Sequence, residues 1–382
     1  MKKGILFICC FLLIGCVASD KKEEKKKTKK EVEEKILEVS FLATGDNLIH
    51  SSIYDSALQA DGTYDFNDIY TNTNDLVQSA DIAYINQETI CGGSELGLSN
   101  YPSFNGPYEV LDAVVNSGYD WISTSSNHSF DRGEAGILNE HEYLRKYEDI
   151  YVTGTHTSQE EADTLQVIER NGLKVGILGY TYGLNGYVLP EDKPYLVDLI
   201  DKEKIKSDME RLKEISDVQV VSMHWGQENQ FIPNEEQEDL AQYLSDLGVD
   251  VIIGCHPHVI QPMDYVTGKE GNETLVIYSM GNFLSAMAEN YNMLGGLPMW
   301  SIEYNTKTKK VSFKDVKFVP TVTFIQFGGG YDDIYRTYTL KDYNNDLASK
   351  QWLTQIKGQD TTKEYYTSLL NEVMNDKVAL DY

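Results

Sequence analysis

Residues 249–262, VDVIIGCHPHVIQP, climb through apolar positions and end on His256 and His258, spaced one apart. Imidazoles on that spacing offer nitrogen donors to a transition-metal ion or hydrogen bonds to a phosphate, and read alone they fit a polar turn after a strand equally well. Four more polar stretches stand in the same relation to an apolar run: TGDNLIH (44–50), NQET (86–89), SSNHSFDRG (125–133) and HWGQE (224–228). A divalent ion needs imidazole nitrogens and carboxylate or amide oxygens gathered from distant segments, with one position left for water. Asp46, Glu88, Asn127, His224, His256 and His258 form such a set if their strands lie side by side. Each alone has a plainer reading, a helix-capping Asp or a core His bonded to a carbonyl. Six together at consecutive strand ends favour the ion. Of the other histidines, His128 follows an apolar run directly and His50 lies one turn beyond another, while His141 and His156 read as ordinary surface residues.

The elements that must position these residues are short apolar runs at 37–44, 81–85, 120–125, 173–181, 218–223, 249–254 and 274–280. Most are apolar throughout, as strands covered on both faces should be. Between them, 106–118, 133–148, 201–216 and 234–248 space apolar residues three and four apart, and the first and last close on Gly118 and Gly248. Strand and helix in turn predict a layered α/β domain whose ligands lie beyond the carboxyl ends of the strands. Residues 300–320 alternate around an NTKTKK turn, which predicts an antiparallel hairpin at the edge of the fold. From about residue 328 the chain turns polar and rich in tyrosine, with helical stretches near 345–356 and 362–376.

The N-terminus opens with two lysines, an apolar core and a small-residue stretch, the layout of a secretory signal over residues 1–15. Leu13-Ile14-Gly15-Cys16 has the form of a bacterial lipobox, which predicts a lipid on Cys16 and a protein held on the extracytoplasmic face of the cell membrane. Residues 16–36 then form a lipidated cysteine and a charged tether, 37–327 the main domain, and 328–382 a polar, partly helical extension. The whole chain carries a formal charge of −27, and because residues 1–36 are net positive by four, about 31 negative charges fall on the remainder. That surface offers no basic stripe for phosphates, so nucleic acid is excluded as a partner. With Cys9 and Cys10 in the signal and Cys16 acylated, the free thiols are Cys91 and Cys255, which pair only if the fold brings them close.

Taken in order, GD (45–46), NQE (86–88), SNHSFDRG (126–133), HWGQE (224–228), GCHPHVIQP (254–262) and YSMGNF (278–283) resemble the motifs of the bacterial CapA family. These are poly-gamma-glutamate capsule biosynthesis proteins with a metallophosphatase-like, or calcineurin-like phosphoesterase, fold. The resemblance runs from about residue 38 to about 325 and implies a layered sandwich with a metal site at the strand ends. It implies Asp46 as the first-strand ligand, Glu88 as the carboxylate bridging two ions, Asn127 as the amide ligand, and His224, His256 and His258 as the ligand histidines. His128 then takes the place of the residue that assists the leaving oxygen, with Asp131 orienting it and Glu228 as a carboxylate behind the ligands. Two departures stand out. The wider superfamily has Asp-x-His where this chain has Asp46-Asn47-Leu48, and the bridging position is Glu rather than Asp. One tightly held Mn, Zn or Fe ion with a weak or vacant second position is therefore expected. The implied function is a metal-dependent hydrolase or transferase in the synthesis, export or anchoring of a capsule polymer. Its partners would be membrane lipid through Cys16, and the polymer or its membrane synthesis proteins. The alternative is a non-catalytic tethered scaffold or polymer-binding partner whose metal site is structural or vestigial.

Overall fold

The structure is a computed structural model that describes residues 1, 34–329 and 332–382. The signal, the lipobox with Cys16 and most of the tether lie outside the described residues. The first part of the chain supplies β1 (Ile36–Asn47), β2 (Ile82–Gln87), β3 (Trp121–Ser123) and β4 (Tyr151–Thr153), each parallel to the one before. Next come β5 (Gln166–Arg170), β6 (Leu173–Thr181), β7 (Val218–His224), β8 (Val251–Cys255), β9 (Met263–Thr267) and β10 (Glu273–Ile277). They form a second sheet in the order β5-β6-β7-β8-β10-β9. Then β11 (Asn282–Leu284), β12 (Leu294–Asn305), β13 (Val311–Gln326), β14 (Ile334–Thr339) and β15 (Ala379–Leu380) return to the first sheet. That sheet runs β14-β13-β12-β1-β2-β3-β4, with β11 beside β1 and β15 beside β13.

The sheets face each other, and the hydroxyls of Tyr84 on β2 and Ser222 on β7 meet between them at 2.6 Å. Strand periodicity decides what lies in that space. On β6, Val175 and Ile177 join the core shared with the first sheet, whereas Leu178 and Tyr180 turn outward to Met209 and Leu212 of helix Lys202–Leu212 and Leu244 of helix Glu235–Asp246. On β8, Val251 and Ile253 face inward and Ile252 outward. Cover on both faces is why these strands read as unbroken apolar runs. Helix Glu109–Ser117, the crossover from β2 to β3, buries Val110, Leu111 and Val114 in the core that the first sheet lines. The layered α/β sandwich is thus present, with helices outside paired sheets.

The hairpin expected at the edge lies inside the sheet. Its strands β12 and β13 pair with each other, but β12 also pairs with β1 and β13 with β14. The reason is the tyrosine-rich tail: Ile334–Thr339 adds a further strand, and Tyr335, Leu340, Tyr343, Leu353, Tyr366 and Leu370 are buried in the same core. Helices Asn345–Lys350, Trp352–Lys357 and Lys363–Val373 fill the stretches expected to be helical. His141 is also not a surface residue. It shares the buried face of helix Gly133–Leu144 with Ile137, Glu140 and Leu144, and its Nε2 meets Thr155 Oγ1 at 2.8 Å. His156 is largely covered as well, its Nε2 lying 2.8 Å from Asp198 Oδ2. Among the described residues no helix is long and apolar enough to cross a membrane.

Candidate metal centre

Six donors converge where the carboxyl ends of the two sheets meet. Asp46 lies at the end of β1, Glu88 just past β2 and Asn127 after β3; His224 ends β7, and His256 and His258 follow β8. All six are buried. His224 Nε2 lies 2.9 Å from Asn127 Oδ1 and 3.8 Å from Glu88 Oε1. His258 Nε2 lies 3.5 Å from the same Glu88 oxygen, and its Nδ1 lies 3.0 Å from Asp46 Oδ2. Donors sharing an ion through bonds of about 2.1 Å stand roughly 3.0–3.4 Å apart, so these spacings are of the right size. Glu88, His224 and His256 each place one ligand atom within 4.8 Å of the others, as do Asp46, Glu88 and His258.

The unpartnered atoms test the fit. Both Glu88 carboxylate oxygens, Asp46 Oδ2, and the Nδ1 atoms of His224 and His256 are buried without a hydrogen bond. Buried polar atoms are ordinarily paired, and a divalent ion is a partner for the carboxylates and for the His256 nitrogen, while His224 turns its other nitrogen, Nε2, toward Asn127 and Glu88. The approach of His258 Nδ1 to Asp46 Oδ2 is an ionic contact rather than an aligned bond, because Asn282 Oδ1 takes that N–H at 2.9 Å. Burial, reinforced by Asp46, pushes the Glu88 carboxyl well above its usual range, with His258 opposing. Burial lowers His256 to about 3 and holds His224 well below its usual value, which keeps both rings neutral, the form that binds metal. Burial also disfavours charge on His258, but Glu88 and Asp46 outweigh it and raise that ring to about 10.

Local backbone geometry makes the convergence possible. A Cβ on Gly45 would stand 2.0 Å from Gly281 O, and the Asp46 N–H donates to that same oxygen at 3.1 Å. This close approach brings Asn282 next to the metal loop. His256 and His258 have φ of 96° and 57°, in the left-handed region, and such strain at about 1–3 kcal/mol each persists where the surroundings fix it. Here the His256 N–H contacts Asp46 Oδ1 at 3.3 Å, and the carbonyl of His258 accepts from Asn292 Nδ2 at 3.0 Å.

His128 stands beside this set. Its Nδ1 lies 2.7 Å from Asp131 Oδ2, which also accepts the Phe104 N–H at 2.6 Å, and the Phe104 ring meets the imidazole edge-on at 4.7 Å. Asp131 therefore fixes the proton on Nδ1 and leaves Nε2 for chemistry.

The sequence matches the family model described as bacterial capsule synthesis protein PGA_cap over residues 40–287, well over half of the chain. The chain belongs to this family. Two curated relatives are the PGA biosynthesis protein CapA of Bacillus subtilis (strain 168) and the capsule biosynthesis protein CapA of Bacillus anthracis. Each is 29% identical, over 178 and 180 residues respectively, or 46% of this chain. Those matches span 45% and 42% of the relatives, under half of their length. Among solved structures, the NAD nucleotidase of Haemophilus influenzae is similar at 14% identity and a TM-score of 0.48, covering 91% of this chain and 64% of that one. A 5'-nucleotidase precursor of Thermus thermophilus gives 14% identity and a TM-score of 0.44, over 88% and 58%.

Within this PGA_cap member several residues take places that sequence reasoning did not assign. Glu228, read as lying behind the ligands, is exposed yet offers an oxygen within 4.8 Å of His256 and His258 donors. Asn86 donates to Asp46 Oδ1 at 2.8 Å and Asn282 orients His258; they sit in the NQE and YSMGNF motifs, in which neither residue was given a role. Tyr182 and Asn185 come from the loop after β6, and no charge or spacing in the sequence marks them. Asn185 Oδ1 accepts from Asn127 Nδ2 at 3.2 Å, and its amide nitrogen lies 3.4 Å from His128 Nδ1. His50 does not replace the missing first-motif histidine, since its Nδ1 accepts the Ala286 N–H at 3.2 Å and it joins no donor cluster among the described residues. Leu48 is buried and offers no ligand atom. Cys91 and Cys255 are both buried and free.

Proposed function

We propose that this PGA_cap member carries out a metal-dependent hydrolytic or transfer step in the synthesis, export or anchoring of poly-gamma-glutamate. It would do so from the outer face of the cell membrane, held there by a lipid on Cys16. The observation that carries the chemical part is the His128–Asp131 pair standing beside a donor set with two unpartnered Glu88 oxygens. The name of the Bacillus subtilis relative supplies the polymer, and the lipobox supports the anchor.

Glu88, Asn127, His224 and His256 would hold one ion, with Asp46 and His258 completing a second, weaker position through Glu88. When bound, such an ion polarises a substrate oxygen and lowers the pKa of water for attack. The chain's own residues do the rest. His128 is held by Asp131 so that Nε2 can hand a proton to the departing oxygen or nitrogen. Asn185 and Tyr182 flank the donors, the first beside His128 and the second against His256. The polymer is a polyanion and the protein beyond residue 36 carries about 31 excess negative charges, so engagement of a chain end through the ion is favoured over binding along the polymer.

The test is elemental analysis of the protein from residue 17 onward, purified without chelator, beside a variant with Asp46, His256 and His258 changed to alanine. Near-stoichiometric metal is expected in the first and little in the second, followed by turnover of phosphoester or gamma-glutamyl substrates. If neither protein takes up Mn²⁺ or Zn²⁺, the enzymatic reading falls. The role left is the second reading, a tethered partner in polymer assembly, which the replacement of a ligand histidine by Leu48 favours.

A further inference from the structure

We propose that Tyr182 is the positioning residue of the metal centre, its ring holding the imidazoles of His224 and His256 in place of the hydrogen bonds that usually orient ligand histidines. The inference rests on the metal-centre reading above and adds the device that keeps that centre in shape.

A histidine that binds a metal through one nitrogen ordinarily fixes its ring by donating from the other to a carbonyl or carboxylate. His258 follows this rule through Asn282 Oδ1. The other two do not. His224 turns Nε2 toward Asn127 and Glu88, and its outer Nδ1 is buried with no partner. The Nδ1 of His256 is likewise buried with no partner, and its backbone is in the left-handed region, where no regular strand or helix restrains the side chain. Something else must set the two rings, and packing is what remains.

Tyr182 supplies it. Its ring centroid lies 4.7 Å from that of His256 at an interplanar angle of 47°, and 6.3 Å from that of His224 with the planes 6° apart. The two imidazoles are 4.8 Å from each other, so the three rings form one cluster. Such spacings fall within the range of favourable ring contacts. The tyrosine is itself fixed by the strand it follows. Thr181 on β6 pairs with His224 on β7, and the Tyr182 N–H donates to the His224 carbonyl at 3.0 Å. The ring and the ligand it braces are thus carried on neighbouring strand ends that cannot separate without breaking the sheet. Tyr182 is 46% exposed, so its outer side faces solvent and its contribution to the folded core is small.

The test is calorimetric titration of Mn²⁺ into the chelator-stripped, otherwise complete protein as the unaltered form, Tyr182→Phe and Tyr182→Ala. Phe keeps the ring and is expected to bind within about twofold of the unaltered protein, whereas Ala is expected to bind at least about tenfold more weakly. Thermal unfolding of the metal-free forms should be nearly the same for all three. Tyr182→Leu keeps bulk without a flat ring and gives the same comparison if the alanine variant does not fold. Unchanged affinity in Tyr182→Ala overturns the proposal. So does a loss in Tyr182→Phe as large as that in Tyr182→Ala, because the hydroxyl would then be the effective group. No uptake by the unaltered protein overturns the metal centre itself, and this inference with it.

Discussion

The Oδ1 of Asn282 lies 2.9 Å from the Nδ1 of His258, and the Nδ2 of the same amide donates to the carbonyls of His258 at 3.3 Å and Asn292 at 3.1 Å. The amide cannot turn over without losing these bonds, so in the neutral ring the proton sits on Nδ1 and Nε2 keeps the lone pair that faces Glu88. Asn282→Leu is expected to weaken metal uptake through His258 by about tenfold to a hundredfold. Asn282→Asp, which keeps an acceptor, should lose less, and a metal titration of the two variants reads the difference.

His128→Ala should leave metal content unchanged and lower turnover by about a hundredfold to ten-thousandfold, the usual contribution of a positioned proton donor. Asp131→Asn removes the carboxylate that fixes the tautomer and should fall in the same direction. Elemental analysis alongside kcat on a phosphoester or gamma-glutamyl substrate separates this outcome from simple loss of the ion.

Glu140 gives a pH dependence outside the metal site. It is buried on helix Gly133–Leu144, and its Oε1 accepts the Cys91 N–H at 2.8 Å. Burial raises its pKa from 4.5 to about 7, with the bond from Cys91 opposing. A carboxyl raised in this way holds its proton more tightly folded than unfolded. Its stabilising contribution is therefore whole below about pH 4.5 and is lost as pH rises through about 7. Glu140→Gln keeps the acceptor and cannot ionise, so above pH 7 it is expected to be more stable than the unaltered protein by about 3 kcal/mol. Urea denaturation at about pH 5 and pH 8 checks both the sign and the size.

Those strands and ligands that the sequence revealed share a physical cause. β6, β7 and β8 are covered on both faces, which leaves unbroken apolar runs, and a buried charge just past such a run has few reasons to be there. What stayed hidden follows from the same logic. β5 and β14 border their sheets and carry polar residues on one face, so QVIER and IYRTYT do not stand out. His141 looks like one polar residue among many until the helix is turned so that Ile137, His141 and Leu144 share a side. Tyr182 and Asn185 are uncharged loop residues whose roles come from where β6 ends, and local sequence carries no trace of that.

Leu48→His would restore a nitrogen donor two residues after Asp46. The metal content of that variant is expected to rise from about one ion toward about two, the number a two-metal site of this kind holds. Elemental analysis at saturating Mn²⁺ decides the matter, and an unchanged ratio would show that the side chain at 48 does not reach the second position.

Cys16→Ala should leave the precursor without lipid and release the protein from the membrane fraction. Metabolic labelling with a fatty acid and fractionation of the cells read both effects, and normal anchoring of the variant would refute the lipobox.

Asp46, Glu88 and Asn127 stand on one sheet of the sandwich, and His224, His256 and His258 on the other. An ion shared among them would act as a rivet through the seam. Sliding one sheet against its neighbour would draw the two sets of donors apart, so resistance to shear and retention of the ion rise and fall together. The site would then be a mechanical fastening as well as a chemical one, and a protein stripped of its ion would differ first in how firmly its two halves are clenched.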